Sequence, residues 1–161
     1  MKSLVVYTCL PAALAAAFPP PKVGGLPVHM TLCWAGRFPQ DGDHFDRACA
    51  ALAGLALCED VTLGCLNYFA ADNGRIAHVT VDTVRGDGLA TVNAIVVDLL
   101  RKAGLEPDDT FKEGFHPHVT LSWLRPRTVW AGDVPEGEWT IDSFEVRHGS
   151  KHARFPTTGA A

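Results

Sequence analysis

His29-Met30-Thr31-Leu32-Cys33-Trp34 and His118-Val119-Thr120-Leu121-Ser122-Trp123 are two copies of one short pattern, His-x-Thr-Leu-x-Trp. An imidazole titrates near pH 6.5, so of two facing imidazoles one can take a proton while the other gives one. A threonine hydroxyl can donate a hydrogen bond to a phosphoryl oxygen as charge builds there. Two histidines and two threonines around one phosphate are therefore a complete acid–base set for breaking a phosphodiester. The base takes a proton from water, the acid gives one to the departing sugar oxygen, and neither step requires a metal.

That set works only if the backbone brings the copies together. In a strand, residues i and i+2 share a face. Two neighbouring strands would thus point His29, Thr31, His118 and Thr120 into one cleft and turn Leu32 and Leu121 into the core. The same parity turns Trp34 and Trp123 away from the histidines, which favours core packing over stacking on a base. Candidate substrate contacts are Tyr7 and Phe115 as base platforms, His116 at the rim and Arg125 as a phosphate contact, with Arg127 beyond it. A third His-x-Thr, His78-Val79-Thr80, is followed by Val81-Asp82-Thr83 in place of Leu-x-Trp and reads as a structural histidine. Asp41, Asp43, His44 and Asp46 resemble a metal cluster, but helix capping and a solvated first turn explain them more simply. No metal and no cofactor are expected. The basic run from Arg147 to Arg154 reads equally as a phosphate contact or a solvated tail.

The elements that must do the positioning are legible from period and punctuation. Ser3–Cys9, Val28–Trp34, Val61–Ala70, Arg75–Val84, His116–Leu124 and Trp139–Val146 read as strands. A short helical turn follows the first. Asp72-Asn73-Gly74 marks a hairpin. One helix starts at Asp43 as N-cap, and the stripe Leu89, Val92, Val96, Leu99, Leu100, Ala103 marks a second, stopped by Gly104. Residues 105–114 read as a polar loop. This order implies an α+β fold with helices packed on mainly antiparallel sheet.

The paired His-x-Thr motif, one copy early and one late, resembles the 2H phosphoesterase superfamily. That superfamily includes the LigT-like RNA 2′,3′-cyclic phosphodiesterases and phage enzymes that destroy cyclic-nucleotide immune signals. The resemblance covers roughly residues 3–147 and implies a bilobal, pseudo-symmetric fold, two mainly antiparallel sheets lining a cleft with helices outside. It also implies that His29, Thr31, His118 and Thr120 are the catalytic quartet. The chain departs from the pattern in being short, with a compact, proline-rich loop after the first strand.

Composition bounds the rest. With 161 residues, 47% of them hydrophobic and 20% charged, the chain reads as one globular domain spanning 1–161, a core at about 3–147 and a fraying tail at about 149–161. A formal charge of −4 gives no extended basic surface for a DNA duplex. The five cysteines are odd in number and lack CxxC spacing, which suits reduced thiols and a cytoplasmic location. Met1-Lys2 and the apolar run after it resemble a secretory signal, but Tyr7-Thr8 and Pro11 interrupt the run, and a first strand is the better reading. No stretch is apolar enough to span a membrane. The expected partner is a small nucleotide substrate, with the chain acting as a monomer. The expected activity is hydrolysis of a cyclic di- or oligonucleotide or of a 2′,3′-cyclic phosphate. RNA-end processing, ligase-like joining and nucleotide binding without turnover are the alternatives. A zinc hydrolase lacks support, having no HExxH motif.

Overall fold

The computed structural model describes residues 1–107 and 114–156; most of the expected 105–114 loop and the last residues of the tail lie outside them. The elements are β1 (Lys2–Cys9), α1 (Ala12–Ala15), β2 (His29–Phe38), α2 (His44–Leu52), β3 (Glu59–Ala71), β4 (Gly74–Thr83), α3 (Gly88–Lys102), β5 (His118–Leu124), β6 (Glu138–Ile141), β7 (Ser143–His148) and β8 (Lys151–Pro156). The fold is α+β. Its strands form one eight-stranded antiparallel sheet in the order β6-β3-β4-β5-β2-β1-β7-β8. The seam at its centre is thin: β2 and β5 share a single paired position, Met30 with Val119. The expected two sheets are thus two four-stranded halves joined at one point.

One face of this sheet is the core. Leu4, Val6 and Thr8 of β1 and Leu10 just beyond it are buried on it, as are Met30, Val79, Val81, Val119, Phe144 and Val146. α3 lays its Leu89, Val92, Val96 and Leu100 stripe over β2 and β4, and α2 packs against α3 and β7. Burying each such aliphatic side chain stabilises the fold by roughly 1.5–3 kcal/mol. The opposite face belongs to the two motifs.

Several boundaries differ from expectation. Trp139–Val146 is not one strand. Its buried positions change parity, from Trp139 and Ile141 to Phe144 and Val146, and Asp142 separates β6, paired with β3, from β7, paired with β1. The tail does not fray up to Pro156. Gly149-Ser150 is a two-residue turn with Gly149 at φ 60°, and β8 returns along β7, stacking Phe155 on Phe144 at 5.0 Å. Asp72 and Asn73 make the expected hairpin, but Gly74 already belongs to β4, where a Cβ would run into the carbonyl oxygen of Leu124. Asp43 takes the N-cap place of α2 without a capping bond and lies 3.5 Å from Arg47 instead.

Both motif strands carry a β-bulge at the same motif position. On the β1 side, Tyr7 pairs with Thr31, but Val6 pairs with Cys33 and Val5 with Trp34, leaving Leu32 as the extra residue. On the β4 side, His78 pairs with Thr120, but Ala77 pairs with Ser122 and Ile76 with Trp123, leaving Leu121 extra. A bulge opposes two residues to one and shifts the alternation beyond it.

Candidate active site

The Met30–Val119 pair sits between the two histidine–threonine pairs, and both its side chains are buried in the core. His29, Thr31, His118 and Thr120, one residue either side of it, therefore share the opposite face. An antiparallel register through that pair sets His29 across from Thr120 and Thr31 across from His118. This is the convergence that the spacing of the two motifs predicts.

Each imidazole is held in the same way. His29 Nδ1 lies 2.7 Å from the carbonyl oxygen of Pro27, and His118 Nδ1 lies 2.7 Å from that of His116. A carbonyl only accepts, so Nδ1 carries the proton in both neutral rings and Nε2 carries the lone pair. Each ring also rests edge-on against a ring from the neighbouring strand: Tyr7 against His29 at 5.3 Å, and His78 against His118 at 5.0 Å. Tyr7 pairs with Thr31 and His78 with Thr120, so the two supports occupy equivalent places in the two halves.

The surroundings then diverge. Beneath His29 the Tyr7 hydroxyl donates to Glu145 Oε2 at 2.8 Å, the Cys9 thiol to Oε1 at 3.5 Å, and His152 Nε2 lies 2.6 Å from Oε2. Burial alone would raise the Glu145 carboxyl, but those bonds outweigh it and hold it below the ordinary carboxylate range. Burial pushes the Cys9 thiol up to about 12, with Glu145 adding to the effect. Around His118 stand Phe69 at 4.8 Å, His78 and His116. Burial, and then the repulsion of His78, His29 and His116, lower His118 to about 4 despite its carbonyl bond. Burial lowers His29 as well, partly offset by its bond to Pro27. Both shifts favour the neutral imidazole at pH 7.

Three sequence-based expectations change here. Tyr7 is buried, 1% exposed, so it supports His29 and offers no surface to a base; β1 is a central strand paired along both edges. Phe115 is half-buried, with part of it packed against the core cluster. Trp34 and Trp123 do not enter the core, because the bulges return them to the histidine face, where Trp123 is 69% exposed. The 147–154 run is a strand pair, with Arg147 donating to the carbonyls of Gly149, Gly25 and Gly24, His152 on Glu145, and Arg154 donating to Ser143.

His116 is exposed at the rim, 6.2 Å from Phe69, and Arg125 is exposed just past β5. His78 is buried as a structural histidine, but it stacks on Phe69 at 3.9 Å and touches His118, which its sequence gave no reason to expect. His44 stacks on Phe38 at 4.4 Å, and among the described residues no three His, Cys, Asp or Glu side chains are grouped to hold a metal. Phe69 and Glu145 escape sequence reasoning: Phe69 belongs to no motif, and Glu145 shows only as a lone acid between the core residues Phe144 and Val146.

No protein-family model matches the sequence, and no curated protein is significantly similar to it. Solved structures do match. A protein of Thermus thermophilus is 18% identical over 100% of both chains, with a TM-score of 0.64. LigT of E. coli, solved with NADP+, is 18% identical over 96% of this chain and 94% of its own, with a TM-score of 0.59. The PDE domain of MHV ns2 is 13% identical over 87% of each chain, with a TM-score of 0.53. At such identities the similarity speaks for architecture, and this chain shares its α+β fold with these structures.

Proposed function

We propose that the cleft is a metal-independent phosphodiesterase site for a small ribonucleotide, with His29 and His118 as acid and base and Thr31 and Thr120 on the phosphoryl oxygens. The observation that carries this is the duplicated geometry: two imidazoles on one face, each with Nδ1 tied at 2.7 Å to the carbonyl two residues earlier, which makes Nε2 the proton-accepting atom of each neutral ring. A phosphate between them brings negative charge that raises both imidazoles and lets one hold a proton at working pH. The neutral ring takes a proton from water, water attacks phosphorus, and the protonated ring gives its proton to the leaving oxygen. The fold neighbours agree with a nucleotide ligand, LigT having been solved with 3′-AMP and with ATP.

A compact substrate fits better than a long RNA. Long RNA binding rests on many phosphate contacts. Here Arg147, His152 and Arg154 are engaged with the protein's own groups. The test is incubation with a panel of cyclic dinucleotides, 2′,3′-cyclic mononucleotides and a tRNA-sized RNA ending in a 2′,3′-cyclic phosphate, read by mass with and without EDTA. Turnover of the small diesters that survives EDTA is expected. Binding without turnover would make the cleft a nucleotide-binding module, loss with EDTA and rescue by zinc would make it a metallohydrolase, and preference for the long RNA would place it in RNA processing.

A further inference from the structure

A single exposed tryptophan on a protein surface requires no explanation. Trp34 and Trp123 are different, because they occupy the same position in the two motif copies and the same irregularity turns each of them. Without the bulges both rings would lie on the core face with Met30 and Val119. With them, Trp34 pairs with Val5 on the face of Tyr7 and Thr31, and Trp123 pairs with Ile76 on the face of His78 and Thr120. The β2 bulge is also fastened from behind, since Asn93 of α3 donates to the carbonyl oxygen of its extra residue, Leu32, at 2.7 Å.

Because β2 and β5 run antiparallel, the tryptophans lie at opposite ends of the catalytic face. At about 3.3 Å per strand residue, each backbone position is some 10–13 Å from the Met30–Val119 pair, on either side of it. The half-buried Trp34 and the exposed Trp123 thus bracket the quartet along the strand axis. Indole faces stack on any nucleobase without reading its sequence.

We infer that Trp34 and Trp123 are base platforms, one for the nucleoside on each side of the scissile phosphate. The preferred substrate is then a diester joining two nucleosides, linear or cyclic, and a phosphate with a base on one side only is a poorer one. This inference rests on the phosphodiesterase reading for its chemistry and on the bulge geometry for its specificity.

The experiment compares diadenosine monophosphate, in 2′–5′ and 3′–5′ linkage, with counterparts in which either base is replaced by hydrogen. Wild type should show a KM about tenfold lower for the two-base diester than for either one-base counterpart, the scale of one stacked base. In Trp34→Leu and Trp123→Leu, the preference for one of the two bases should vanish, a different one in each variant. Circular dichroism melts establish that the variants fold, and Trp34→Phe, which keeps a ring, should restore most of the preference if Trp34→Leu does not fold. Preference for both bases retained in both leucine variants overturns the inference. Should wild type turn over no diester at all, the hydrolase reading falls separately. Quenching of tryptophan fluorescence by diadenosine monophosphate then decides: diminished quenching in each leucine variant supports the platforms, and quenching equal to wild type in both overturns them.

Discussion

His29 and His118 are held by identical hydrogen bonds but sit in unequal fields. Glu145 lies behind the Tyr7 ring that supports His29, whereas His118 has His78 and His116 for neighbours. The consequence is a pH profile displaced to the acid side. A general base must be neutral, so activity falls as pH drops below its pKa; a general acid must be protonated, so activity falls as pH rises above its own. With His118 near 4 and His29 below its ordinary 6.5, kcat/KM, which reports the free enzyme, should trace a bell with its acid limb near pH 4 and its alkaline limb below pH 6.5. Both limbs belong to the coupled pair. A pH–rate profile on a small diester checks this, and a bell centred above pH 7 contradicts it. His29→Ala and His118→Ala should each lose on the order of 10²-fold or more in kcat. His78→Ala should lower the melting temperature and cost much less in kcat, because it removes a support for His118 and no proton carrier.

At the scale of elements, the two bulges decide what the proposed catalytic face contains, and Asn93 of α3 holds one of them from the core side. Asn93→Leu keeps the bulk but leaves the Leu32 carbonyl without its donor, a loss on the order of 1–3 kcal/mol for a buried polar group. Chemical denaturation should show a lower midpoint with an unchanged slope; an unchanged midpoint would mean that the bond contributes nothing. This is also the scale at which the sequence was least legible. The quartet could be read because four residue types recur with a period-2 alternation that holds up to Thr31 and Thr120. Trp34 and Trp123 could not, because one extra residue in each strand reverses parity and no residue type marks it: Leu32 and Leu121 look like core leucines, and they are buried as such. Tyr7 was misplaced for a different reason. Its exposure depends on β7 covering β1, a pairing between residues more than 130 positions apart.

For the molecule as a whole, burying imidazoles makes stability depend on acidity. His118 has a folded pKa near 4 against about 6.5 unfolded, so between those values the unfolded chain binds more protons and stability falls as pH falls. His29 and His78 are lowered in the same direction. Glu145, lowered by its donors, gives up its contribution at more acid pH still, as it protonates. Melting temperature should therefore decline steadily from pH 7 to pH 4, and His118→Asn should flatten that decline; a flat wild-type profile would contradict the burial argument. The α+β class and the order of the first five strands and two main helices were legible, because long periodic segments and turn residues mark them. The division of the last strand was visible only as a parity change at Asp142, and the β7–β8 hairpin only as Gly149-Ser150.

The strand order has a further consequence, for how the chain comes off the ribosome. β3, β4, β5 and β6 form one half of the sheet from a continuous stretch, Glu59 to Ile141, whereas the other half combines β1 and β2 with β7 and β8 from the far end. The first half can assemble as soon as β6 emerges. In the second, β1 can hairpin onto β2, but its other edge, Leu4 to Tyr7, stays unpaired until β7 is made. Distant pairings of this kind are slow to form, and an open strand edge is a template for the wrong partner. Pulse-labelled hydrogen exchange during refolding should protect the amides of β3 and β4 before those of β7 and β8; simultaneous protection would show that the halves fold as one. Nascent chains stalled between β6 and β7 should be the species most prone to aggregate and most in want of a chaperone.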